Sequence, residues 1–357
     1  MNNVESKNNY QLINFWRFVC SLLVVAIHTI SSKDNLGYFI VITARIAVPF
    51  FFMCSGYFLS NKLYQDNSVI GKQGIYKYIR NIFSIYWKWS MVYLVVRFIF
   101  SSGNVNIIKE LILCFRDFLF VGIEGHLWYL SALIFSVYLL YILINKHKIK
   151  YKYICILAFV LYLFSLSADT YNGLFVNTVI GKFINVYVYL FGEVWNSYTQ
   201  GLIFIVMGIG IKKYAIVNKI RKPIVIVFIS YGLFILEHFL LKYMNIPRAN
   251  NTSFFLLILA PSIFISLLKF ESKCDIKYIN IYSNFYRNSS LTIYLVHPLI
   301  LTMVRKLFIL VEINELKYIS YLEFILVLLG SLCIAIIAQK YKEYKIIKNI
   351  RHVKQYG

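Results

Sequence analysis

NFWRFVCSLLVVAIHTI, residues 14–30, is an apolar run long enough to cross a lipid bilayer, yet it carries Arg17 and His28. An arginine at the centre of a membrane helix costs roughly 2.5–3.5 kcal/mol to insert, and charged groups at such depth usually face a protein interior instead of lipid. The two side chains are eleven positions apart. On a helix that spacing places them within about 20° of one face and about 16 Å apart along the axis. One face therefore offers a guanidinium suited to a phosphate and, further along, a titratable base. Snorkelling of Arg17 to the interface and a packing role for His28 are the alternatives for the same two residues.

The rest of the chain fits a membrane setting. Of 357 residues, 60% are hydrophobic and only 15% are charged, more apolar surface than a soluble domain of this length can bury. Apolar runs fall at 12–31, 38–60, 82–101, 127–144, 153–167, 199–211, 223–241, 253–268, 288–310 and 318–338. The expectation is an all-α polytopic integral membrane protein with about ten transmembrane helices, of which the fifth and sixth are short. The connections 61–80, 146–152, 212–222 and 269–287, with the two ends of the chain, hold 24 Lys and Arg, whereas the five alternate connections hold 9. This alternation predicts both termini on the cytoplasmic side, with residues 340–357 forming a short basic cytoplasmic tail. It also argues against nucleic acid as the partner of the +22 net charge, because the basic residues lie in short loops suited to anionic lipid headgroups.

No internal repeat or low-complexity linker divides residues 1–357, so a single domain is expected. Cys20, Cys54, Cys114, Cys155, Cys274 and Cys333 show no CxxC spacing, which disfavours both a zinc site and a disulfide framework, and no metal is expected. The first apolar run lacks a small-residue cleavage site, so no removed signal peptide is expected.

Further polar groups lie at middle to outer depth. ARIAVPFFFMCSGYFL, residues 44–59, carries Arg45 on a helix entering from outside, with Pro49 weakening the local hydrogen-bond ladder and Ser55-Gly56 permitting close helix contact. EGHLWYLSALIF, residues 124–135, sets Glu124 and His126 at the outer surface, and Trp128 and Tyr129 equally suit an interfacial aromatic belt. SSLTIYLVHPLIL, residues 289–301, places His297 mid-membrane before Pro298, and the seventh run adds Glu237 and His238. No GxSxG, HExxH, Walker loop or glycine-rich nucleotide fingerprint is present.

The Arg-x10-His pair, RIAVPFFFMCSGYFL, HLWYLSALI and SLTIYLVHPLI together resemble the membrane-bound acyltransferase 3 family, in order and over nearly the whole chain. The resemblance is to the compact branch with bacterial polysaccharide O-acetyltransferases, and to the membrane half of vancomycin-resistance serine racemases. It implies a multi-pass protein of the bacterial cytoplasmic membrane that moves an acyl group, acetyl by default, from cytosolic acyl-CoA to a hydroxyl of a cell-surface or exported glycan or a lipid-linked saccharide. Acyl-CoA would be a co-substrate, with no permanently bound cofactor. Carried over, His28 is the candidate catalytic base, Arg17 a contact to CoA, Arg45 the family's second-helix arginine, and His126 and His297 further acyl-CoA or substrate-binding residues. Longer relatives have a W-S-L-x-x-E version of the fourth-helix motif and an appended hydrolase-like domain. Here Trp128-Tyr129-Leu130 has no following Glu, and about eighteen residues follow the last run, so that second domain is not expected. A transporter or permease of a small polar substrate such as an amino acid is the rival reading, with the intramembrane His and Arg as a substrate path. The lack of an internal repeat argues against common transporter architectures.

Overall fold

The computed structural model describes residues 10–64, 69–100, 107–271, 277–313 and 318–356. Lys7, Cys274, parts of the connections 61–80, 102–125, 269–287 and 305–318, and the side chains of the tail beyond residue 345 lie outside the described residues. The described chain is helical and contains no strand. In order, the helices are α1 (Gln11–Thr29), α2 (Asn35–Ala44), α3 (Ala47–Tyr64), α4 (Val69–Phe100), α5 (Ile107–Phe120), α6 (Trp128–Tyr141) and α7 (Tyr151–Ala168). They continue as α8 (Asn172–Phe175), α9 (Val179–Phe191), α10 (Tyr198–Lys213), α11 (Ile216–Lys219), α12 (Pro223–Tyr243), α13 (Leu256–Glu271), α14 (Lys277–Leu310) and α15 (Ile319–Tyr356).

Among the described residues, eight segments are long and apolar enough to cross a membrane: α1, α2 with α3, most of α4, α6 with the π-helical turn that follows it, α7, α12, and the greater parts of α14 and α15. The protein is therefore a multi-pass membrane protein. Two of the ten runs expected from sequence fall short. The 16-residue helices α10 and α13 rise only about 24 Å at 1.5 Å per residue, against a hydrocarbon core of about 30 Å.

The chain forms two compact units, one of residues 1–47 with 266–357 and the other of residues 48–265. In the first, α1 packs along α14 and also against α15 and α2. Val25, Ile293, Leu301, Val304, Phe308, Val327 and Ala335 form its core, with Phe18 and Leu22 of α1 packed on it. In the second, α10 is buried along almost its whole length and packs against α6 and α7. Its approach to α3 requires glycine on both sides. A Cβ on Gly56 would meet the Ile205 carbonyl, and one on Gly208 the Met53 carbonyl, as small residues permit in membrane helix pairs.

Sequence and structure differ at three places. The second apolar run is not one helix but breaks at Arg45-Ile46, between α2 and α3. Pro49 explains the break: it has no N–H to give to the carbonyl four residues earlier, that of Arg45, and its ring crowds that position. Connections expected as loops at 102–125 and 168–185 instead hold α5, α8 and the start of α9. The helix after His126 begins at Trp128, so His126 lies in the preceding turn.

Candidate functional site

Helix α1 is held at both ends by charged side chains distant in sequence. Its N-terminal residue Tyr10 provides no side-chain cap. The Glu271 carboxylate takes that role, accepting from the backbone N–H groups of Gln11 at 2.6 Å and Leu12 at 2.8 Å. An anion there satisfies donors that have no intrahelical partner and opposes the positive end of the helix dipole. At the other end the chain leaves the helix at the extended residue Ile30, and the Arg305 Nη2 donates to the His28 carbonyl at 3.5 Å. Arg305 is itself fixed by Glu323 of α15, with Nε donating to Oε1 at 3.1 Å and Nη2 to Oε2 at 3.1 Å. This two-point geometry gives direction as well as charge.

The His28 side chain, half-buried in the last turn of α1, stands beside His297 of α14. The ring centroids are 5.2 Å apart and the planes tilt by 40°. His297 is fully buried, and Pro298 determines its local setting. Pro298 has no N–H to donate, so the Tyr294 carbonyl lacks its ordinary helical donor. The His297 imidazole turns back along the helix, its Nδ1 3.1 Å from the Ile293 carbonyl. A carbonyl can only accept, so in this contact Nδ1 carries the proton. The guanidinium groups of Arg45 and Arg305 lie within electrostatic reach of His28. Arg45 owes its place to the helix break: its own N–H bonds the Ile42 and Thr43 carbonyls in a tightened last turn of α2.

Arg17 is on the same unbroken helix, α1, about 16 Å from His28 by helical rise. It is half-buried, and among the described residues its Nε has no hydrogen-bond partner. Close by, Phe15 and Phe18 of α1 pack on Tyr286 of α14. Just beyond the site, the loop residue Asp34 caps α2 through the Gly37 N–H at 2.7 Å and accepts from the Tyr321 hydroxyl at 3.0 Å. These bonds, the Gly37 N–H foremost, hold its carboxyl below the usual carboxylate range.

The structure thus brings together His28, His297 and Arg45, and keeps Arg17 on their helix. His126 belongs to the other unit, where its buried ring stands edge-on to Tyr93 at 4.9 Å. Glu237, in the same unit as His126, has a structural use: its carboxylate accepts from the Tyr171 hydroxyl at 2.7 Å and from the Phe254 and Phe255 N–H groups that open α13. Sequence reasoning missed Arg305 and Glu323. The available signal was a lone carboxylate within the last apolar run and an arginine eight residues after His297.

Among the described residues no three His, Cys, Asp or Glu side chains group as metal ligands. His28 faces a second imidazole and two guanidinium groups, of which that of Arg305 is paired with Glu323. Two imidazoles flanked by guanidinium groups can accept a proton from a hydroxyl and stabilise an anion formed beside it.

Residues 10–340 match the acyltransferase domain of the acyltransferase 3 family. The chain belongs to that family. It is similar to two proteins of Enterococcus faecalis named amino-acid racemase, 28% identical over 310 residues and 30% identical over 283 residues. These alignments cover 83% and 76% of the chain, but 41% and 37% of those relatives. A serine/alanine racemase of Enterococcus gallinarum is 27% identical over 290 residues, covering 80% of the chain and 40% of the relative. The chain therefore spans about two-fifths of the length of the relatives it matches. No solved structure matches it.

Proposed function

We propose that this acyltransferase-family protein transfers an acyl group, acetyl by default, from cytosolic acyl-CoA to a hydroxyl of a cell-surface or exported glycan, or of its lipid-linked precursor. The observation that carries the reading is the His28–His297 pair at the end of α1, with Arg45 in electrostatic reach, in a chain matched by the family over nearly its whole length. In this reading His28 takes the proton of the acceptor hydroxyl as its oxygen attacks the thioester carbon. Arg45 stabilises the oxyanion that forms there. Collapse breaks the carbon–sulfur bond, and the departing thiolate takes the proton back from His28. His297, with Nδ1 tied to the backbone, orients its neighbour. Arg17 holds a CoA phosphate, and the pantetheine arm covers the roughly 16 Å between the two sites. His126 is proposed as a further substrate contact.

Ten spans and cytoplasmic termini in a bacterial cytoplasmic membrane accompany this proposal, with α10 and α13 as short spans surrounded by protein. Charge alternation between the connections supports it. The partners are then acyl-CoA, the saccharide acceptor and the bilayer, without nucleic acid, a metal or a resident cofactor. A permease for a small polar substrate is the second reading, with an amino acid as its substrate because the named relatives are amino-acid racemases.

Glycan from cells with and without the gene, compared by NMR for base-labile acyl signals, tests the proposal. His28→Gln keeps size but loses the basic nitrogen, and should abolish the signals while protein still accumulates in the membrane. A base contributes about 10²–10⁴-fold. Identical glycan from both strains, or full activity of the Gln variant, would overturn the acyl-transfer reading with this base. Amino-acid uptake would then test the permease.

A further inference from the structure

Helix α9 is a separate element that the proposed chemistry does not use. Thirteen residues rise only about 20 Å, too short to cross a bilayer, and both ends are fixed. The Thr178 side chain accepts from the Gly181 N–H. At the other end Gly192, at φ +83°, stops the helix in a conformation that glycine adopts without strain. One face is seated on the protein: Ile184 is fully buried with Ala168, Val194 and Trp195, and Tyr187 and Val188 pack on that cluster.

The exposed surface of α9 is divided lengthwise. Val179, Phe183, Val186 and Leu190, spaced four, three and four residues apart, form an apolar strip with exposures of 81, 61, 56 and 50%. Beside it, Lys182, Asn185 and Tyr189 form a second strip that is also exposed and carries polar groups. The apolar strip runs nearly the whole helix, and the polar one runs beside its middle part from 182 to 189. A helix entering the bilayer end-on would change from polar to apolar along its axis. A boundary parallel to the axis belongs to a helix lying flat where water meets hydrocarbon.

The depth of its seat agrees. Ala168, against which Ile184 packs, is in the last turn of α7. Helix α7 has 18 residues and crosses the membrane from the basic 146–152 loop. It rises about 27 Å, so its last turn lies near the opposite edge of the hydrocarbon.

We infer that α9 lies in the membrane plane on the side opposite the basic loops, with Val179, Phe183, Val186 and Leu190 against lipid acyl chains and Lys182 and Asn185 at the headgroups. The occupant of the apolar strip is bilayer lipid. A folded partner or a second copy of the chain is the contrary case. The inference is independent of the proposed acyl transfer.

Photoreactive benzoylphenylalanine placed singly at 179, 182, 183, 185, 186 and 190 of the otherwise native chain would test it. All six positions are exposed, and at 183 one aromatic group replaces another beside Phe164. The variants are reconstituted in vesicles of phosphatidylcholine and phosphatidylglycerol, irradiated and analysed by mass spectrometry. Acyl-chain adducts should form at 179, 183, 186 and 190 in similar yield, and fall at least fivefold at 182 and 185. Adducts in equal yield at all six positions would show a helix immersed on every exposed side. Yields changing steadily from 179 to 190 would show end-on insertion. Cross-linking of 183 or 186 to a second copy or to another protein in native membranes would show that lipid is not the occupant. Any of these three outcomes overturns the inference, as does the absence of adducts at all six positions.

Discussion

Removing the Arg305–Glu323 pair tests whether α1 is fixed at its His28 end by charge. Three guanidinium-to-carboxylate contacts of 3.1–3.3 Å join the two residues. The Glu323 side chain is 11% exposed and that of Arg305 is 52% exposed. A hydrogen bond to a charged group contributes about 1.5–3 kcal/mol, and a fully exposed ion pair about 0–1. One buried and one half-exposed partner place the coupling between these limits, at about 1–2 kcal/mol after solvent screening of the arginine. Arg305→Gln and Glu323→Gln should each cost more than half of what the double variant costs, because each single change leaves the other charge unpaired. Equilibrium unfolding of the four proteins in mixed micelles closes the double-mutant cycle. Acyl transfer by the same proteins provides the functional readout. If Arg305 also positions His28 through its carbonyl, kcat should fall about tenfold, or about 1.4 kcal/mol, with the KM for acyl-CoA unchanged. A coupling within about 0.3 kcal/mol of zero would refute the energetic reasoning. An unchanged kcat would refute the positioning role.

Arg17→Lys should raise the KM for acyl-CoA with little effect on kcat, because a point charge cannot reproduce the two-pronged contact of a guanidinium with a phosphate. Equal KM values in steady-state assays would leave Arg17 no donor role. Cysteines introduced at Gly125 and Asn218 should react with an impermeant maleimide from opposite sides of the membrane. Reaction from the same side would show that the number of crossings between α6 and α11 is even, against the ten-span topology. Gly208→Val inserts a branched side chain where a Cβ already meets the Met53 carbonyl, so overpacking should lower stability by about 1–3 kcal/mol. A melting temperature equal to that of the parent would contradict the close approach of α3 and α10.

Hydropathy revealed the class of the protein because a bilayer demands long apolar helices whatever the tertiary fold. The Arg17–His28 face was equally legible, since an unbroken helix turns spacing into geometry. What escaped depended on contacts between segments. His28 and His297 are 269 positions apart in sequence, and only the packing of α1 on α14 makes them neighbours. The break at Arg45 acts at a distance from its cause, the proline four residues later. Arg305 escaped because nothing in the run 288–310 tells that this residue meets Glu323 of α15. Helices α5 and α9 escaped because each is shorter than a span and interleaves polar with apolar residues, as a loop does.

The unit that holds His28 is assembled from two distant stretches, residues 1–47 and 266–357, and the cap on α1 comes from Glu271. During synthesis α1 emerges before the second stretch and must wait in the membrane, its arginine and histidine already inserted, until more than two hundred further residues have been made. The ribosome completes the intervening unit before α14 and α15, the later partners of α1, exist. A truncated product ending anywhere before α14 would present His28 without His297 and Arg305. Formation of the His28–His297 pair is thus tied to synthesis of the second stretch, and a chain that stops short of it lacks that pair.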